Sequence, residues 1–187
     1  MFFERRQITM KVTVITGSAH KKGTSALLAD KFIEGAKEAG HEVFRFDAAF
    51  ENVKPCLACE YCSSHDSECV HKDSMNTLSE KLIDTDLVVF VTPLYYYTMS
   101  AQIKAVIDRF HAKNAKITGN KKAMLFATSY GTDDWTMEGL EKTYEGTLRF
   151  LNWTDAGKLF ATGCPVREVI EQTDYPQQAY EMGKTIS

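Results

Sequence analysis

Short apolar runs alternate with helix-periodic segments from one end of this chain to the other. Val12, Val14 and Ile15 end in Gly17-Ser18, and Leu27, Leu28, Phe32, Ile33 and Ala36 then recur at helical spacing from Thr24-Ser25 to a stop at Gly40. Val43, Phe44 and Phe46 form a second strand, and a helix is expected over Asp73 to Ile83. Leu87 to Val91 is a continuous apolar run, as in a strand covered on both faces. A helix with Ile103, Val106, Ile107 and Phe110 follows, then a strand over Ala123 to Thr128 and a helix with Met137, Leu140, Tyr144, Leu148 and Leu151. A weaker strand near Lys158 to Thr162 and a short helix after Pro176 complete the pattern. Such alternation requires right-handed crossovers around a parallel sheet. The expected fold class is α/β, a doubly wound five-stranded parallel sheet in the order 2-1-3-4-5 with helices on both faces. Ligands of such sheets bind beyond the carboxyl ends of the strands, so the loops after strands one, three and four are where chemistry belongs.

The 187 residues suit one domain. We expect it over residues 10–187, with a cysteine-rich insert at 54–72 and residues 1–9 as an extension without function. With 22 Lys and Arg against 25 Asp and Glu, a net charge of −3 and no basic block, nothing steers the chain to nucleic acid or anionic lipid. The uncharged stretch Leu87 to Ile103 is interrupted by Thr92, Pro93, Thr98, Ser100 and Gln102, so it is no membrane span. Met1 to Met10 has neither the apolar core nor the cleavage site of a secretory signal. The expected compartment is therefore the cytoplasm, where clustered cysteines read as metal ligands or redox thiols rather than a disulfide framework.

The loop Gly17 to Ser25, GSAHKKGTS, places glycines, hydroxyls and cations just ahead of a helix. Amides at a helix N-terminus favour a phosphate. The plain alternative is a glycine turn with Thr24 or Ser25 as the helix cap. The spacing from Gly17 to Gly23 and the Thr24 that follows argue against the nucleotide-triphosphate loop, which needs a lysine after its second glycine. No G-x-G-x-x-G occurs. A monophosphate at the first turn of a 2-1-3-4-5 sheet suggests FMN.

Here the sequence resembles the NAD(P)H-dependent FMN reductase branch of the flavodoxin-like superfamily, whose first loop reads close to G-S-P-R-K-x-[GS]-N-[ST]. Gly17, Ser18, Lys21, Gly23 and Ser25 match; Ala19, His20 and Thr24 depart, and His20 stands where the family has an arginine. TPLYYYTMSAQIKAVIDR, Thr92 to Arg109, resembles a second and more specific segment of the family. The resemblance implies that Ser18, His20, Gly23, Thr24 and Ser25 hold the FMN phosphate, that Pro93, Leu94, Tyr95 and Tyr96 line the ring, and that Ser129, Tyr130 and Gly131 supply the third flavin loop. Lys104 and Asp108, four apart, read as an exposed ion pair, with their stretch structural or at a subunit contact. Asp133 and Asp134 read as a helix cap, and Trp135 as an anchor for the next helix.

Cys56, Cys59, Cys62 and Cys69 are spaced C-x2-C-x2-C-x6-C. Four thiolates can complete the shell of a 4Fe-4S cluster or a tetrahedral zinc, or remain free redox thiols. The family's iron-sulfur flavoproteins carry a similar run. His65 and His71 read as exposed polar residues that could also ligate, and Cys164 as a small buried residue outside the site.

The function that follows is an FMN-dependent oxidoreductase that takes hydride from NADH or NADPH and passes electrons to a flavin, quinone or other acceptor. No side chain need act as acid or base, because the flavin carries the chemistry. The alternatives are an iron-sulfur electron carrier reduced by a protein partner, and a non-enzymatic flavin or zinc module that senses redox state. The resemblance further implies a homodimer or homotetramer.

Overall fold

The structure is a computed structural model that describes residues 9–187. The first eight residues of the expected extension lie outside the described residues.

The elements follow the predicted alternation. They are β1 (Lys11–Thr16), α1 (Thr24–Glu38), β2 (Glu42–Asp47), α2 (Tyr61–Ser64), α3 (Met75–Ile83), β3 (Leu87–Pro93) and α4 (Ala101–Arg109). After a 3-10 turn at Phe110–Lys113 come α5 (Asn114–Ile117), β4 (Lys122–Thr128), α6 (Glu138–Leu151), β5 (Thr154–Ala161), α7 (Arg167–Ile170) and α8 (Tyr175–Lys184). The sheet is parallel in the order β2-β1-β3-β4-β5, with Val14 opposite Val89 and Phe90 opposite Leu125.

Side chains alternate across each strand, so one sheet supplies two cores. On one face Val12, Val14, Val89 and Phe126 pack against Leu28 and Phe32 of α1 and Ala179 of α8. Phe32 meets Phe126 edge-on at 5.4 Å, and both are fully buried; each such ring contributes about 1.5–3 kcal/mol on burial. On the other face Ile15, Val88, Phe90 and Leu125 meet Leu78 of α3, Ile103 and Val106 of α4, and Tyr144 and Leu148 of α6. Helices α1 and α8 touch backbone to backbone at Gly35 and Gly183. A Cβ on Gly35 would lie 2.1 Å from the Tyr180 carbonyl oxygen.

Several boundaries differ from the sequence reading, among them that of α3, which starts at Met75 rather than Asp73, and those of β5 and α8. Strand β5 begins at Thr154 rather than near Lys158, because a register shift opposite Ala123 and Met124 breaks the pleat and the first residues face solvent. The last helix starts at Tyr175, with Pro176 inside its first turn, where a missing N–H costs nothing. No helix among the described residues is long and apolar enough to cross a membrane.

Candidate functional site

A cleft of about 620 Å³ opens beyond the carboxyl ends of the central strands, a volume typical of small-molecule sites. It is lined by Ser18, His20, Gly23, Thr24 and Ser25 from the loop after β1, Pro93, Leu94 and Tyr95 after β3, and Ser129 and Tyr130 after β4. Two of the residues expected here, Tyr96 and Gly131, do not line it. Thr128, Lys21, Lys22 and the segment Cys164 to Arg167 do, although the sequence reading did not assign them to the site.

The loops are held by their own backbones. Gly17 N–H donates to the Val91 carbonyl at 2.9 Å, Leu94 N–H to Thr128 at 2.8 Å and Ser129 N–H to Ala161 at 3.0 Å, so pairing continues past the strand ends. Cys164 N–H donates to the Ser129 carbonyl at 2.8 Å, which draws Cys164 to Arg167 against the third loop. Cys164 is buried as expected, and burial pushes its thiol up, but it is also part of the cleft wall.

Neither Thr24 nor Ser25 caps α1. Gly23 is the N-cap and no side chain bonds the first turn, while Thr24 Oγ1 donates to Thr128 Oγ1 at 3.0 Å. A fifteen-residue helix thus opens at the cleft with its amide end unclaimed by a side chain, the arrangement that receives an anion. Ser18 Oγ accepts from His20 N–H at 3.1 Å and tightens the turn. His20, Lys21, Lys22 and Arg167 are on the wall, and among the described residues no carboxylate lines it. Lys21 lies over the Phe50 ring at 4.7 Å, and Arg167 bonds Glu171 at 2.6 Å.

Tyr95 and Thr98 exchange both backbone hydrogen bonds at 3.1 Å around a two-residue turn formed by Tyr96 and Tyr97, whose φ values are 46° and 64°. Such turns favour Asn-Gly; a left-handed tyrosine costs about 1–2 kcal/mol. Tyr97 packs on Trp135 with ring centroids 4.7 Å apart and planes tilted by 34°, while Tyr96 turns outward and is 98% exposed, away from the cleft. Trp135 therefore anchors the tyrosine turn. Asp133 and Asp134 do not cap α6, whose N-cap is Met137; the Asp133 carbonyl accepts from Thr136 N–H in an intervening turn. Lys104 and Asp108 form the expected exposed ion pair.

The four clustered cysteines rim one small cavity with His71, Arg109 and His111. Ala58, Glu60, Asp66 and Ser67 all have left-handed φ, which curls the loop between the thiols. Cys56 Sγ accepts from Ala58 N–H at 3.4 Å. Cys56 and Cys59 are exposed, Cys62 and Cys69 half-buried. Among the described residues, no three His, Cys, Asp or Glu side chains are gathered closely enough to hold a single metal ion.

Beneath the cavity, Arg109 Nη1 bonds Asp73 Oδ2 at 2.8 Å and the Lys54 carbonyl at 2.8 Å, and Nη2 bonds Asp73 Oδ1 at 3.2 Å. The two side chains are 2% and 0% exposed. Asp73 also accepts from the amides of Lys54 and Met75, so the pair clamps both ends of the cysteine segment. Burial alone would raise the Asp73 carboxyl, but Arg109 and these amides hold it below the usual range. Burial opposes the Arg109 charge, and Asp73, with a smaller part from Cys69, more than restores it. Two buried nitrogens at this cavity, Arg109 Nε and His71 Nε2, have no hydrogen-bond partner. A buried group left so costs about 1–3 kcal/mol, and acceptors inside the cavity would remove that cost. The donor set, four thiols with two unused nitrogens, fits an anionic sulfur-rich centre.

The family described as NADPH-dependent FMN reductase matches residues 10–152. Among curated proteins, the chain is 35% identical over 121 residues to an iron-sulfur flavoprotein of Methanocaldococcus jannaschii, covering 63% of this chain and 61% of the relative. It is 40% identical over 98 residues to an iron-sulfur flavoprotein of Archaeoglobus fulgidus, covering 52% of this chain and 49% of the relative. The chain thus spans between about half and three-fifths of the length of these relatives. The structure is similar to that of an NAD(P)H:quinone oxidoreductase from Methanothermobacter marburgensis, with a TM-score of 0.78 at 18% identity over 95% of this chain and 96% of that one. That likeness establishes the flavodoxin-like fold.

Proposed function

The chain belongs to the NADPH-dependent FMN reductase family, and from that membership we propose that it is an FMN-dependent oxidoreductase. It would take hydride from NADH or NADPH and pass electrons to a flavin, a quinone or another acceptor. The observation that carries this reading is the cleft itself: an uncapped helix N-terminus among cations on one side, Pro93, Leu94, Tyr95 and Tyr130 on the other, and no carboxylate among the described lining residues.

In this reading the amides of the first turn of α1, with Ser18, His20, Gly23, Thr24 and Ser25, hold the phosphate. Pro93, Leu94 and Tyr95 give the ring an apolar wall, and Ser129 and Tyr130 frame its edge. Cys164 to Arg167 close the remaining side. FMN, when bound, supplies the hydride- and electron-accepting chemistry, so the protein's task is to bind, orient and leave one ring face open. The exposed aromatics Tyr96, Tyr130 and Trp135 beside the cleft support assembly as a homodimer or homotetramer. A reducing, cytoplasmic setting suits the free thiols.

The test is anaerobic mixing of the FMN-loaded protein with NADPH or NADH. The expected result is loss of the flavin's visible absorbance with one or both nucleotides; a flavin that stays oxidised with both sinks the reductase reading.

The four-thiol cavity supports a second reading, an iron-sulfur electron carrier in which Cys56, Cys59, Cys62 and Cys69 hold a 4Fe-4S cluster reduced by a protein partner. Iron, acid-labile sulfide and zinc analysis of anaerobically purified protein decides it. Iron with sulfide supports the cluster, zinc alone supports the sensing module, and neither leaves the thiols free.

A further inference from the structure

We propose that Arg109 and His71 are hydrogen-bond donors to the sulfur centre held by Cys56, Cys59, Cys62 and Cys69, and that they set its reduction potential. The inference rests on the reading of those cysteines as cluster ligands.

Arg109 is the last residue of α4, and its side chain is 2% exposed. Its terminal nitrogens are committed to Asp73 and the Lys54 carbonyl. The guanidinium is planar, so this commitment fixes the direction of the remaining Nε–H. That group is buried and unpartnered, and Arg109 is part of the wall that the four thiols share. His71 joins the same wall from the chain just after Cys69, and its Nε2 is likewise buried and unpartnered. Around the rim, His111 faces Glu60 at 3.4 Å, Lys113 bonds Glu68 at 3.0 Å and Lys72 lies 3.4 Å from Glu68. These nearby charges are already paired with one another, whereas the two buried nitrogens are not.

Hydrogen bonds to sulfur and exclusion of water are among the levers that set iron-sulfur potentials. A donor stabilises the reduced, more negative state, so removing it lowers the potential. Asp73 balances the Arg109 charge, which leaves the directed Nε–H as the main influence of the pair on the sulfurs.

The test uses the full chain, purified anaerobically with its cluster, and measures iron, sulfide and midpoint potential. Asp73→Asn with Arg109→Gln removes the ion pair without stranding a buried charge. His71→Leu removes the second donor, and His71→Gln restores an N–H. We expect iron and sulfide to be retained and the reduced-to-oxidised ratio at fixed potential to fall about tenfold in the paired variant, a shift of about 59 mV for one electron. His71→Leu should shift the same way, with His71→Gln close to wild type. Cluster-loaded variants that titrate at the wild-type potential overturn the inference and leave the ligand reading intact. If the paired variant loses its cluster, the two His71 variants decide, and equal potentials overturn the proposal. If the wild type binds neither iron nor sulfide, the ligand reading fails and this inference with it.

Discussion

Gly17→Ala should damage both the stability of the sheet and the seat of the loop after β1. Gly17 directly follows β1, and its N–H donates to the Val91 carbonyl at 2.9 Å. A Cβ there would lie 2.2 Å from Ser100 Oγ and 2.7 Å from Ile103 Cγ1, both on fully buried residues. Ser100 is the N-cap of α4, and its Oγ accepts from Ile103 N–H, so it cannot step aside without uncapping the helix. Overpacking costs about 1–3 kcal/mol, and a lost serine cap costs about 1 kcal/mol more. Together they predict about 2–4 kcal/mol, or a fall in Tm of about 5–15 °C for a chain of this size. Urea unfolding of Gly17→Ala, Ser100→Ala and the double variant measures this. Because Ser100→Ala removes the atom at 2.2 Å, the double variant should be more stable than the sum of the single losses by about 1–2 kcal/mol, within the usual range for touching residues. A Gly17→Ala protein within about 0.5 kcal/mol of wild type, or a cycle with no coupling, refutes the steric argument.

Gly23→Asp should separate folding from cofactor binding. Gly23 has an extended backbone at φ −76° and aspartate is a good N-cap, but a Cβ there would lie 3.1 Å from His20 Cβ and 3.2 Å from the His20 carbonyl oxygen, so apo stability should fall by no more than about 1–2 kcal/mol and the fold should be kept. The new carboxylate would occupy the helix end proposed to receive the phosphate, and FMN titration should show at least about a tenfold loss of affinity. Asp73→Ala strands Arg109 and should cost about 3–5 kcal/mol at neutral pH. Because the folded carboxyl is held below its ordinary value of 3.8, its contribution is complete above that value and is lost as pH falls through the folded one. The gap between wild type and Asp73→Ala in urea unfolding should therefore be constant near neutrality and narrow in acid; a gap that widens on acidification reverses the sign. Tyr96→Gly relieves a left-handed tyrosine that is 98% exposed, so it should raise stability by up to about 1 kcal/mol and leave FMN affinity unchanged. A clear fall in Tm would show that the turn is not strained.

The parts of the fold legible in sequence are those fixed by burial. Leu87 to Val91 are buried on both sides, so the run is uniformly apolar and unmistakable. At the edge, β5 is exposed over its first residues and carries a register shift, so only its inward end looked like a strand. At the cleft, the loops after β1 and β3 carry glycine, hydroxyl and aromatic patterns with a physical reason, and most of their residues are on its wall. The segment Cys164 to Arg167 was missed because a backbone bond to Ser129 places it, and backbone bonds leave no mark on residue type. The capping assignments failed for a related reason. The Thr24 hydroxyl is claimed by Thr128, 104 residues away, and no local rule includes that competitor.

Arg109 shows how far a local reading falls short. In sequence it closes a helix with a solvent-facing Lys104–Asp108 pair, and the last turn of a helix is an ordinary place for a cation. In the fold, Ser100 at the other end of α4 sits against Gly17 at the origin of the loop after β1, while Arg109 shares a cavity wall with the four thiols. The helix spans nine residues, about 14 Å at 1.5 Å per residue, and joins the two candidate centres. Ile103 and Val106, both fully buried, pack its inner face against the sheet, so neither end can shift without opening a close-packed core. What reads locally as a scaffold helix therefore holds the loop after β1 and the cysteine cavity at a fixed separation.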